Sequence, residues 1–341
     1  MITSLSLSNF KAFEAEELEF GLLNILSGLN NSGKSSIIQA LRLLHEQKSL
    51  SDMGPLSIYN RSDTRGFSLM CDQKINEKSN SVIFGINNKN YSRRSGRIEG
   101  IVSYISADRL GPRNSLPLNI DEDIKIVGSR GEFIVGFLTR FDKDWYDLKV
   151  PEALIAKEGN GVSTNIREWL RFISPGIDFE YTFDSNADIG RTMFNKHRPV
   201  HVGFGLSYTL PIIASVLIHA SQLNAKREES VILLLENPEA HLHPSGQTKI
   251  GEMLALAASC GVQIIVETHS DHLLNGIRIA IKDRKISHTD VKCFFFKSGE
   301  WDGKNEDPVT VERIEIDEYG MLDYWPDGFF DETEKNLQRL I

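Results

Sequence analysis

The sequence has little cysteine, no long uninterrupted apolar run and no excess of basic charge. Its three cysteines, Cys71, Cys260 and Cys293, lie far apart, and none has a histidine at zinc-ligand spacing. This pattern argues against a disulfide framework and against a zinc site. No apolar run approaches the roughly 18 residues of a membrane span, and alternating Ser and Leu rather than a signal peptide follow Met1. We therefore predict reduced, packed thiols in a cytoplasmic protein without membrane contact.

Acidic residues outnumber basic ones, 47 Asp and Glu against 38 Lys and Arg, which gives a formal net charge of -9. The segment 299–341 alone holds 13 acidic and 4 basic residues, so the rest of the chain is formally neutral. This distribution disfavours a protein coated in basic charge for binding nucleic acid. A local cluster of Lys89, Arg93, Arg94 and Arg97 either contacts nucleic-acid phosphates or is an ordinary solvated face, and both interpretations stay open.

Apolar strands alternate with helical patterns in the last third of the chain. Strands are predicted at 231–235, 262–266 and 291–296, separated by helices at 247–259 and 271–281. Continuously apolar strands of this kind are typical of a parallel sheet covered by helices on both faces. The layout indicates an α/β nucleotide-binding protein.

The middle of the chain has a different pattern. Short apolar runs at 81–86 and 101–105, separated by Asn, Gly and Arg clusters, predict antiparallel strands. A short helix is predicted at 166–173, where Pro175-Gly176 follows and ends it. No internal repeat or sustained heptad is visible.

A glycine-rich octet at 28–35, GLNNSGKS, fits the pattern G-x-x-x-x-G-K-[ST]. It follows a predicted buried strand at 22–26 and precedes apolar residues at helical spacing, which is the context that phosphate binding requires. Glycines let backbone N–H groups surround phosphate oxygens, Lys34 reaches the β and γ phosphates, and Ser35 ligates Mg²⁺. ATP and Mg²⁺ are therefore the predicted cofactors, and the predicted nucleotide contacts of the loop are Gly28, Asn30, Asn31, Ser32, Gly33, Lys34, Ser35 and Ser36.

Carboxylates and a histidine follow two neighbouring strands. The strand at 231–235 is followed by Glu236-Asn237-Pro238-Glu239, and a carboxylate at the carboxyl end of such a strand can hold Mg²⁺. We assign this role to Glu236 together with Ser35. The next strand ends in Glu267-Thr268-His269, which places His269 at the same rim of the sheet, where it can sense the γ phosphate. A lone histidine is more often a packed or surface residue, but the position after the acidic strand favours the functional interpretation.

Three sequence blocks together resemble the SMC, RecF and OLD group of ABC-type ATPases. They are NFKAF at 9–13, ENPEAHLHP at 236–244 and ETHSDH at 267–272. The ending WPDGFF at 325–330 is similar to that of a bacterial family of small ATPases whose C-terminal region has no assigned function. The resemblance implies an α/β P-loop NTPase fold, namely a RecF/ABC-like head with a mixed sheet, an antiparallel β subdomain and a helical lobe.

The implied organisation is a single ABC-like head over residues 1–341. Its parts are a Walker A region at 1–66, antiparallel β and helical insert lobes at 67–200, a region at 201–298 with the signature, Walker B and switch histidine, and an acidic C-terminal segment at 299–341.

The resemblance also implies roles for single residues. Lys34 and Ser35 become the Walker A pair, Glu236 the Walker B acid and His269 the switch histidine. Lys11, in the NFKAF block, is counted among the nucleotide contacts. Leu242-His243 occupies the D-loop position.

The segment 203–207, GFGLS, is similar in position to the signature loop of these ATPases. In such proteins this loop caps ATP bound to the opposite subunit, a role that falls here to Gly205 and Ser207. A homodimer or higher homo-oligomer with ATP between the heads is therefore implied. A Gly-x-Gly sequence before an apolar helix is also compatible with plain packing at the start of a helix, and this alternative stays open.

The chain departs from the ABC pattern at Asn237, where these ATPases usually carry glutamate. An amide can orient water but cannot accept its proton at neutral pH, so we expect slow hydrolysis or the use of Glu239, Glu267 or His269. The catalytic candidates are therefore Glu236, Asn237, Glu239 and His269.

Two further groups have alternative interpretations. No Q-loop glutamine is evident, and the segment 106–113 in that region directs Arg109 or Arg113 either toward the nucleotide or dimer partner, or into structural ion pairs. His241 and His243 lack a third ligand nearby, so helix capping or interface contacts are favoured over a metal pair.

Three functions are candidates for this compact head. The first is an ATP-gated switch that dimerises on ATP and controls a protein effector encoded nearby, for example in a bacterial antiphage defence operon. Trp325, Phe329 and Phe330 are then either a docking element or cover for the core. The second is a RecF-like DNA-maintenance ATPase. The third is a nucleotide-binding scaffold with negligible turnover, which Asn237 keeps open.

Overall fold

The computed structural model describes residues 1–47, 66–86, 92–118, 125–144, 146–157, 159–298 and 309–340. The strands in this part of the chain are β1 (Ile2–Phe10), β2 (Phe13–Glu19), β3 (Leu23–Gly28), β4 (Phe67–Ile75), β5 (Lys78–Ile86), β6 (Ser92–Ser95), β7 (Ile101–Ile105), β8 (Leu116–Pro117), β9 (Phe179–Asp184), β10 (Ile189–Phe194), β11 (Val231–Glu236), β12 (Gln263–Glu267), β13 (Val291–Lys297) and β14 (Thr310–Ile314). The helices are α1 (Lys34–Glu46), α2 (Ile134–Asp144), α3 (Val162–Ile173), α4 (Phe204–Asn224), α5 (Pro244–Ser259), α6 (Asp271–Lys282) and α7 (Glu332–Leu340).

The central sheet has six strands in the order β14-β13-β3-β12-β11-β7. All neighbouring pairs are parallel except β13 and β14, which are antiparallel. Helix α1 packs on one face, and helices α4 and α5 pack on the other. The elements predicted for the last third are confirmed, because β11, α5, β12, α6 and β13 follow one another in the expected order.

Residues of one central strand face two different cores. In β3, Leu23 and Ile25 face the core that contains α4 and α5, whereas Leu26 faces the core that contains α1. Alternation of this kind is expected for a strand buried on both faces. The core around α1 also contains residues of β1, β4 and β5, so this helix lies between the central sheet and the second sheet.

The second sheet is antiparallel, with the order β2-β1-β4-β5-β6. The strand predicted at 81–86 belongs to it as part of β5. The antiparallel pairing predicted for 101–105 is wrong, because β7 pairs in parallel with β11 at the edge of the central sheet. The alternating burial of β7 suits an edge strand in either arrangement, and only the distant partner decides the direction.

The helical lobe contains a small sheet, β8-β10-β9, which packs against α2, and α3 packs against α4. Helix α3 confirms the helix predicted at 166–173. Among the described residues, helix α4 is long and apolar enough, by length and composition alone, to cross a membrane. Ser, Thr and His are interspersed among its apolar residues, so no uninterrupted apolar run marks it in the sequence. Buried residues make up 78% of its apolar window, so α4 is a core helix of this fold.

Aromatic residues of the C-terminal segment divide between core and surface. Phe329 is fully buried, and its ring centroid lies 5.3 Å from that of Phe295 and 4.7 Å from that of Phe330. Trp325 is 47% exposed, and the Arg278 guanidinium lies 5.6 Å from its ring. The interpretation as core cover is therefore confirmed for Phe329, whereas Trp325 lies at the surface.

The three cysteines all lie within the described residues and are free thiols. Cys71 and Cys293 are buried, and Cys260 is half-buried. Burial raises the pKa of Cys71 to about 12, so this thiol stays protonated and unreactive at neutral pH. The prediction of packed thiols is confirmed.

The basic cluster lies at the edge of the antiparallel sheet, where β5 and β6 pair. Arg94 and Arg97 are exposed, and the Arg94 guanidinium lies 5.6 Å from the ring of Phe84. Lys89 and the side chain of Arg93 lie outside the described residues. Contact of this cluster with nucleic acid stays a prediction.

Candidate nucleotide-binding site

The phosphate loop connects β3 to α1 as the sequence predicts. Gly33, the residue before the helix, has a φ of 91°. A β-carbon at this position would lie 2.9 Å from the ring of Phe13, so both the backbone conformation and this contact require glycine. Because Gly33 has no side chain to cap α1, the loop presents a helix N-terminus of the kind that binds phosphate.

The remaining loop residues divide between the interior and the surface of the loop. Asn30 and Asn31 are exposed, and Asn31 has a left-handed φ of 64°. Ser32 is buried, and its Oγ donates to a loop carbonyl at 2.7 Å. The backbone N–H of Ser36 donates to the carbonyl of Gly33 at 3.0 Å. Ser32 therefore stabilises the loop from inside, while the asparagines face outward.

Lys34 lies folded over the loop and is 3% exposed. Its Nζ donates to the carbonyls of Gly28 at 3.0 Å and Leu29 at 2.7 Å and lies 4.0 Å from Glu267 Oε1. Burial lowers the pKa of Lys34, and the Glu267 carboxylate opposes this shift. Phosphate oxygens can replace these acceptors, because they too accept hydrogen bonds from an ammonium group.

The carboxylate in contact with the loop belongs to Glu267. Ser35 Oγ donates to Glu267 Oε2 at 2.8 Å, whereas Glu236 accepts a hydrogen bond from the backbone N–H of Ala107 at 3.0 Å. The two glutamates are register partners on β11 and β12, and β12 lies between β11 and β3. Burial raises the pKa of Glu267, and the nearby charge of Glu236 adds to the rise.

This arrangement changes the expected ligand pair. The sequence assigns Ser35 and Glu236 to the metal and names Glu267 only as an alternative group for hydrolysis. The structure brings all three to one rim but places Glu267 on Ser35. The acid at the end of β12 was visible in the sequence, but the insertion of β12 between β3 and β11 was not. A hydroxyl and two carboxylates suit Mg²⁺, which takes most of its other ligands from water and phosphate. The described residues hold no group of three or more His, Cys, Asp or Glu side chains that could bind a metal ion.

Glu239 holds the backbone of the predicted switch histidine. Its Oε1 accepts hydrogen bonds from Thr268 Oγ1 at 2.8 Å and from the backbone N–H of His269 at 3.0 Å, while its buried Oε2 has no partner among the described residues. Burial raises the pKa of Glu239. The His269 side chain is exposed, and partial desolvation and the charge of Lys34 lower its pKa. The histidine therefore lies within electrostatic reach of the phosphate loop.

Asn237 follows β11 in a left-handed conformation with a φ of 45°, which asparagine tolerates. Its backbone N–H donates to the carbonyl of Glu267 at 2.8 Å, and its carbonyl accepts from Arg109 Nη2 at 2.6 Å. Asn237 thus lies at the rim where the resemblance expects it, with its backbone fixed to both neighbouring segments.

The sequence leaves two interpretations for Arg109, a contact with the nucleotide or dimer partner and a structural ion pair. Neither describes its position in the structure. It is 1% exposed and faces inward, where it donates to backbone carbonyls rather than to carboxylates. Burial lowers its pKa to about 10, and Glu239 opposes the shift. Arg113 is exposed, and its approach to a nucleotide or partner stays a prediction.

The candidate signature segment belongs to the first turn of α4 and lies against the turn at 237–242 that follows the Walker B acid, here called the Walker B turn. A β-carbon on Gly205 would lie 2.7 Å from the carbonyl oxygen of His241, so the absence of a side chain permits this contact. Phe204 is 52% exposed, and its ring centroid lies 5.5 Å from that of His241 with the two rings tilted. Ser207 Oγ is buried without a partner in the described structure and borders a small cavity beside Pro211. Its contact with a partner's nucleotide stays a prediction.

The remaining predicted residues have clear positions. Lys11 lies in the turn between β1 and β2 and donates from Nζ to Gln39 of α1. His243 caps α5, since its Nδ1 accepts from the backbone N–H of Ser245 at 3.4 Å. His241 lies 4.7 Å from the ring of Tyr208. Helix capping, which the sequence favours over a metal pair, is therefore confirmed for His243, and an interface contact of His241 stays a prediction.

The profile of the family described as "AAA ATPase domain" matches residues 1–125 and 194–274. The chain belongs to this family. A second profile, described as "Protein of unknown function (DUF3696)", matches residues 286–340, the region of the WPDGFF ending. Among curated proteins no match was found.

Solved structures support the fold. The Smc head domain from Pyrococcus furiosus, bound to the C-terminal domain of ScpA, is 13% identical, covers 99% of each chain and has a TM-score of 0.56. Another Smc head, bound to the C-terminal winged-helix domain of ScpA, is 14% identical and covers 92% of this chain and 97% of its own, with a TM-score of 0.55. The recombination mediator RecF is 15% identical and covers 90% and 97%, with a TM-score of 0.50. The fold is therefore that of an SMC/RecF-like P-loop ATPase head, and family and fold together support ATP binding and hydrolysis.

Proposed function

We propose that this ATPase is a slow, ATP-dependent molecular switch that dimerises when it binds ATP and thereby controls a partner protein. The observation that carries the proposal is the meeting of four residues at one rim of the sheet. Lys34 and Ser35 of the phosphate loop contact Glu267, which pairs in register with Glu236. These residues come from three separate parts of the chain, and their charges match a triphosphate with its divalent metal.

The loop residues bind the phosphates in this proposal. Backbone N–H groups at the start of α1 and the ammonium group of Lys34 donate to phosphate oxygens. Ser35, Glu267 and Glu236 would hold Mg²⁺, which when bound neutralises phosphate charge. When ATP binds, the Lys34 ammonium group would donate to phosphate oxygens instead of to its two loop carbonyls. The Ser35 oxygen, which now donates its hydrogen to Glu267, would offer a lone pair to Mg²⁺.

Hydrolysis depends on a group other than Asn237. A general base works best with a pKa near the operating pH, and burial raises the pKa of both Glu239 and Glu267 in that direction. Glu239 also has one carboxylate oxygen without a hydrogen-bond partner among the described residues. Because Glu267 holds the metal in this proposal, we assign the base to Glu239. We expect a low turnover rate, because Glu239 does not occupy the position directly after the Walker B acid.

Dimerisation would use the surface around the start of α4. Gly203 and Phe204 are exposed there, and the contact between Gly205 and His241 joins this surface to the Walker B turn. The solved Smc heads were bound to domains of ScpA. By analogy we propose a protein partner for this chain, such as a cytoplasmic effector encoded next to it in a bacterial defence operon.

The proposal is tested by measuring mass in solution and phosphate release with the same samples. We expect a shift from monomer to dimer with ATP and Mg²⁺ in analytical ultracentrifugation, together with slow ATP hydrolysis. Lys34→Ala should abolish both, because it removes the buried ammonium group from the loop. The matched control is Lys285→Ala, which removes an exposed lysine. Wild-type protein that binds ATP but stays monomeric would contradict the switch.

The RecF-like alternative has one specific observation in its favour, the exposed Arg94 and Arg97 at the sheet edge. Duplex DNA added to the same assay distinguishes the two functions. Stimulation that weakens with rising salt and disappears in Arg94→Glu/Arg97→Glu would favour DNA maintenance. Indifference to DNA favours a protein partner, and dimerisation without any hydrolysis favours the scaffold.

A further inference from the structure

A buried arginine joins the end of the Walker B strand to the loop after β7. Arg109 Nη1 donates to the carbonyls of Ser106 at 2.9 Å and Glu236 at 2.8 Å, and its Nη2 donates to the carbonyl of Asn237 at 2.6 Å. The guanidinium therefore fixes the last residue of β11 and the residue after it. These contacts involve the backbone, so any shift of this strand end moves the guanidinium with it.

The same guanidinium also contacts helix α4. Its Cζ lies 5.0 Å from the centroid of the Tyr208 ring, within the range of a cation–π contact. The Tyr208 ring is also in contact with the His241 ring, which it meets edge-on with a centroid distance of 4.7 Å. Tyr208 directly follows the candidate signature segment at 203–207, so Arg109 touches the helix that carries this segment.

A third contact extends the series to the predicted switch histidine. Glu239, in the turn that begins at Asn237, accepts a hydrogen bond from the backbone N–H of His269 at 3.0 Å. Glu239, which accepts from His269, and Asn237, which Arg109 fixes, therefore belong to one short turn after β11. A contiguous path of packed groups leads from the phosphate-sensing rim to α4 through Arg109 and Tyr208.

We propose that Arg109 is a positioning residue that transmits the state of the nucleotide site to α4, with Tyr208 as the contact that receives it. Only a planar guanidinium donates to several carbonyls in its plane and presents a face to an aromatic ring. A lysine at this position retains the charge but loses this geometry. The inference rests on the proposed ATP-dependent switch, since that function requires α4 to respond to bound ATP.

Hydrogen–deuterium exchange of the full chain tests the transmission. In wild type, ATP with Mg²⁺ should change amide exchange in the phosphate loop, at 268–270 and at 204–210. Tyr208→Leu should still bind ATP within about twofold of wild type, but the ATP-dependent change at 204–210 should fall below about a third of the wild-type value. Arg109→Lys should give the same loss, and Tyr208→Phe, which keeps the ring, should restore the response.

Controls separate transmission from general damage. Arg191→Lys alters an exposed arginine of β10, and Tyr319→Leu removes a tyrosine that is 65% exposed; both should respond as wild type does. Thermal unfolding identifies variants that fail to fold, and Tyr208→Phe keeps the test decisive if Arg109→Lys is one of them. A merely structural role for Tyr208 would alter exchange at 204–210 without ATP but leave the ATP-dependent change intact.

The outcomes distinguish this inference from the proposed function. An unchanged ATP response at 204–210 in Tyr208→Leu overturns the transmission and leaves the switch intact. Wild-type protein that stays monomeric with ATP overturns the switch instead. If wild type stays monomeric, an ATP-dependent change in amide exchange at 204–210 that is lost in Tyr208→Leu still supports transmission within one head. If wild type shows no ATP-dependent change at 204–210, the transmission is overturned.

Discussion

Replacing Glu267 by glutamine should change how strongly ATP binding depends on magnesium. In the structure Glu267 Oε2 accepts from Ser35 Oγ at 2.8 Å, and Oε1 lies 4.0 Å from Lys34 Nζ. Glutamine keeps the size of the side chain and one acceptor oxygen for Ser35. The substitution therefore removes one negative charge beside the phosphate loop and little else.

Two opposite effects follow from this single charge. In the absence of a divalent metal, the Glu267 carboxylate of wild type repels the triphosphate. At a separation of about 6 Å and an effective dielectric constant of about 20 this repulsion is about 3 kcal/mol, and Glu267→Gln removes it. Allowing for solvent screening, we expect ATP to bind about fivefold more tightly to Glu267→Gln in EDTA. With Mg²⁺ the order reverses, because the loss of a group that supports a metal weakens its binding by about 10- to 100-fold.

The assay is a titration with a fluorescent ATP analogue in EDTA and again in excess Mg²⁺. The dissociation constant in EDTA divided by the dissociation constant in Mg²⁺ should be lower in Glu267→Gln than in wild type by at least about tenfold. Glu252→Gln is the matched control, since Glu252 pairs with Lys249 on α5 and has no contact with the loop among those described. Equal ratios in wild type and Glu267→Gln would refute the assignment of Glu267 to the metal.

Three other substitutions test separate parts of the structure. Phe329→Ala should lower the free energy of unfolding by about 3–5 kcal/mol in urea titrations, because it empties a fully buried site. Gly205→Ala should abolish ATP-dependent dimerisation in ultracentrifugation while ATP affinity changes less than about threefold, since its new β-carbon would lie 2.7 Å from the His241 carbonyl. Burial raises the pKa of Glu239 above its ordinary value of 4.5, so the folded state binds this proton more tightly than the unfolded state. Its stabilising effect is complete below the ordinary pKa and is lost as pH rises through the raised one. Wild type should therefore gain stability relative to Glu239→Gln in thermal unfolding as pH falls from neutral toward the ordinary value of 4.5.

Each of these predictions has its own control. Trp325→Ala, at a side chain that is 47% exposed, should lose less than half as much stability as Phe329→Ala; equal losses would contradict the packing argument. A β-carbon on Gly203 meets nothing within 4 Å, so Gly203→Ala should dimerise as wild type does. Loss of dimerisation in Gly203→Ala as well would contradict the argument from the contact between Gly205 and His241. A stability difference between wild type and Glu239→Gln that does not vary with pH would show that Glu239 titrates normally.

The elements that the sequence predicted well are those with local signals. The octet at 28–35 fixed the position of the phosphate loop because glycine, lysine and serine each have a role at a defined spacing. β11, β12 and the helices after them followed from uninterrupted apolar runs and helical spacing, which report burial directly. These signals require no knowledge of a distant partner.

The features that the sequence did not predict correctly depend on contacts between distant segments. β7 was assigned the wrong direction because its partner β11 lies more than a hundred residues away. Glu267 was not assigned to the metal because the order of strands, with β12 next to β3, is a property of the whole sheet. Arg109 was expected at a carboxylate or nucleotide, but its acceptors are backbone carbonyls, which have no signature in the side-chain sequence.

Helix α4 restricts the kinds of motion that this ATPase can use. Most of its residues are buried between the central sheet and the lobe, and exposing even five leucine or isoleucine side chains to water costs about 10 kcal/mol. That exceeds the free energy released by binding a nucleotide at micromolar affinity, which is about 8 kcal/mol. Any conformational cycle driven by ATP must therefore carry α4 as a rigid rod together with its neighbours, by small rotations at its ends, rather than by detaching it.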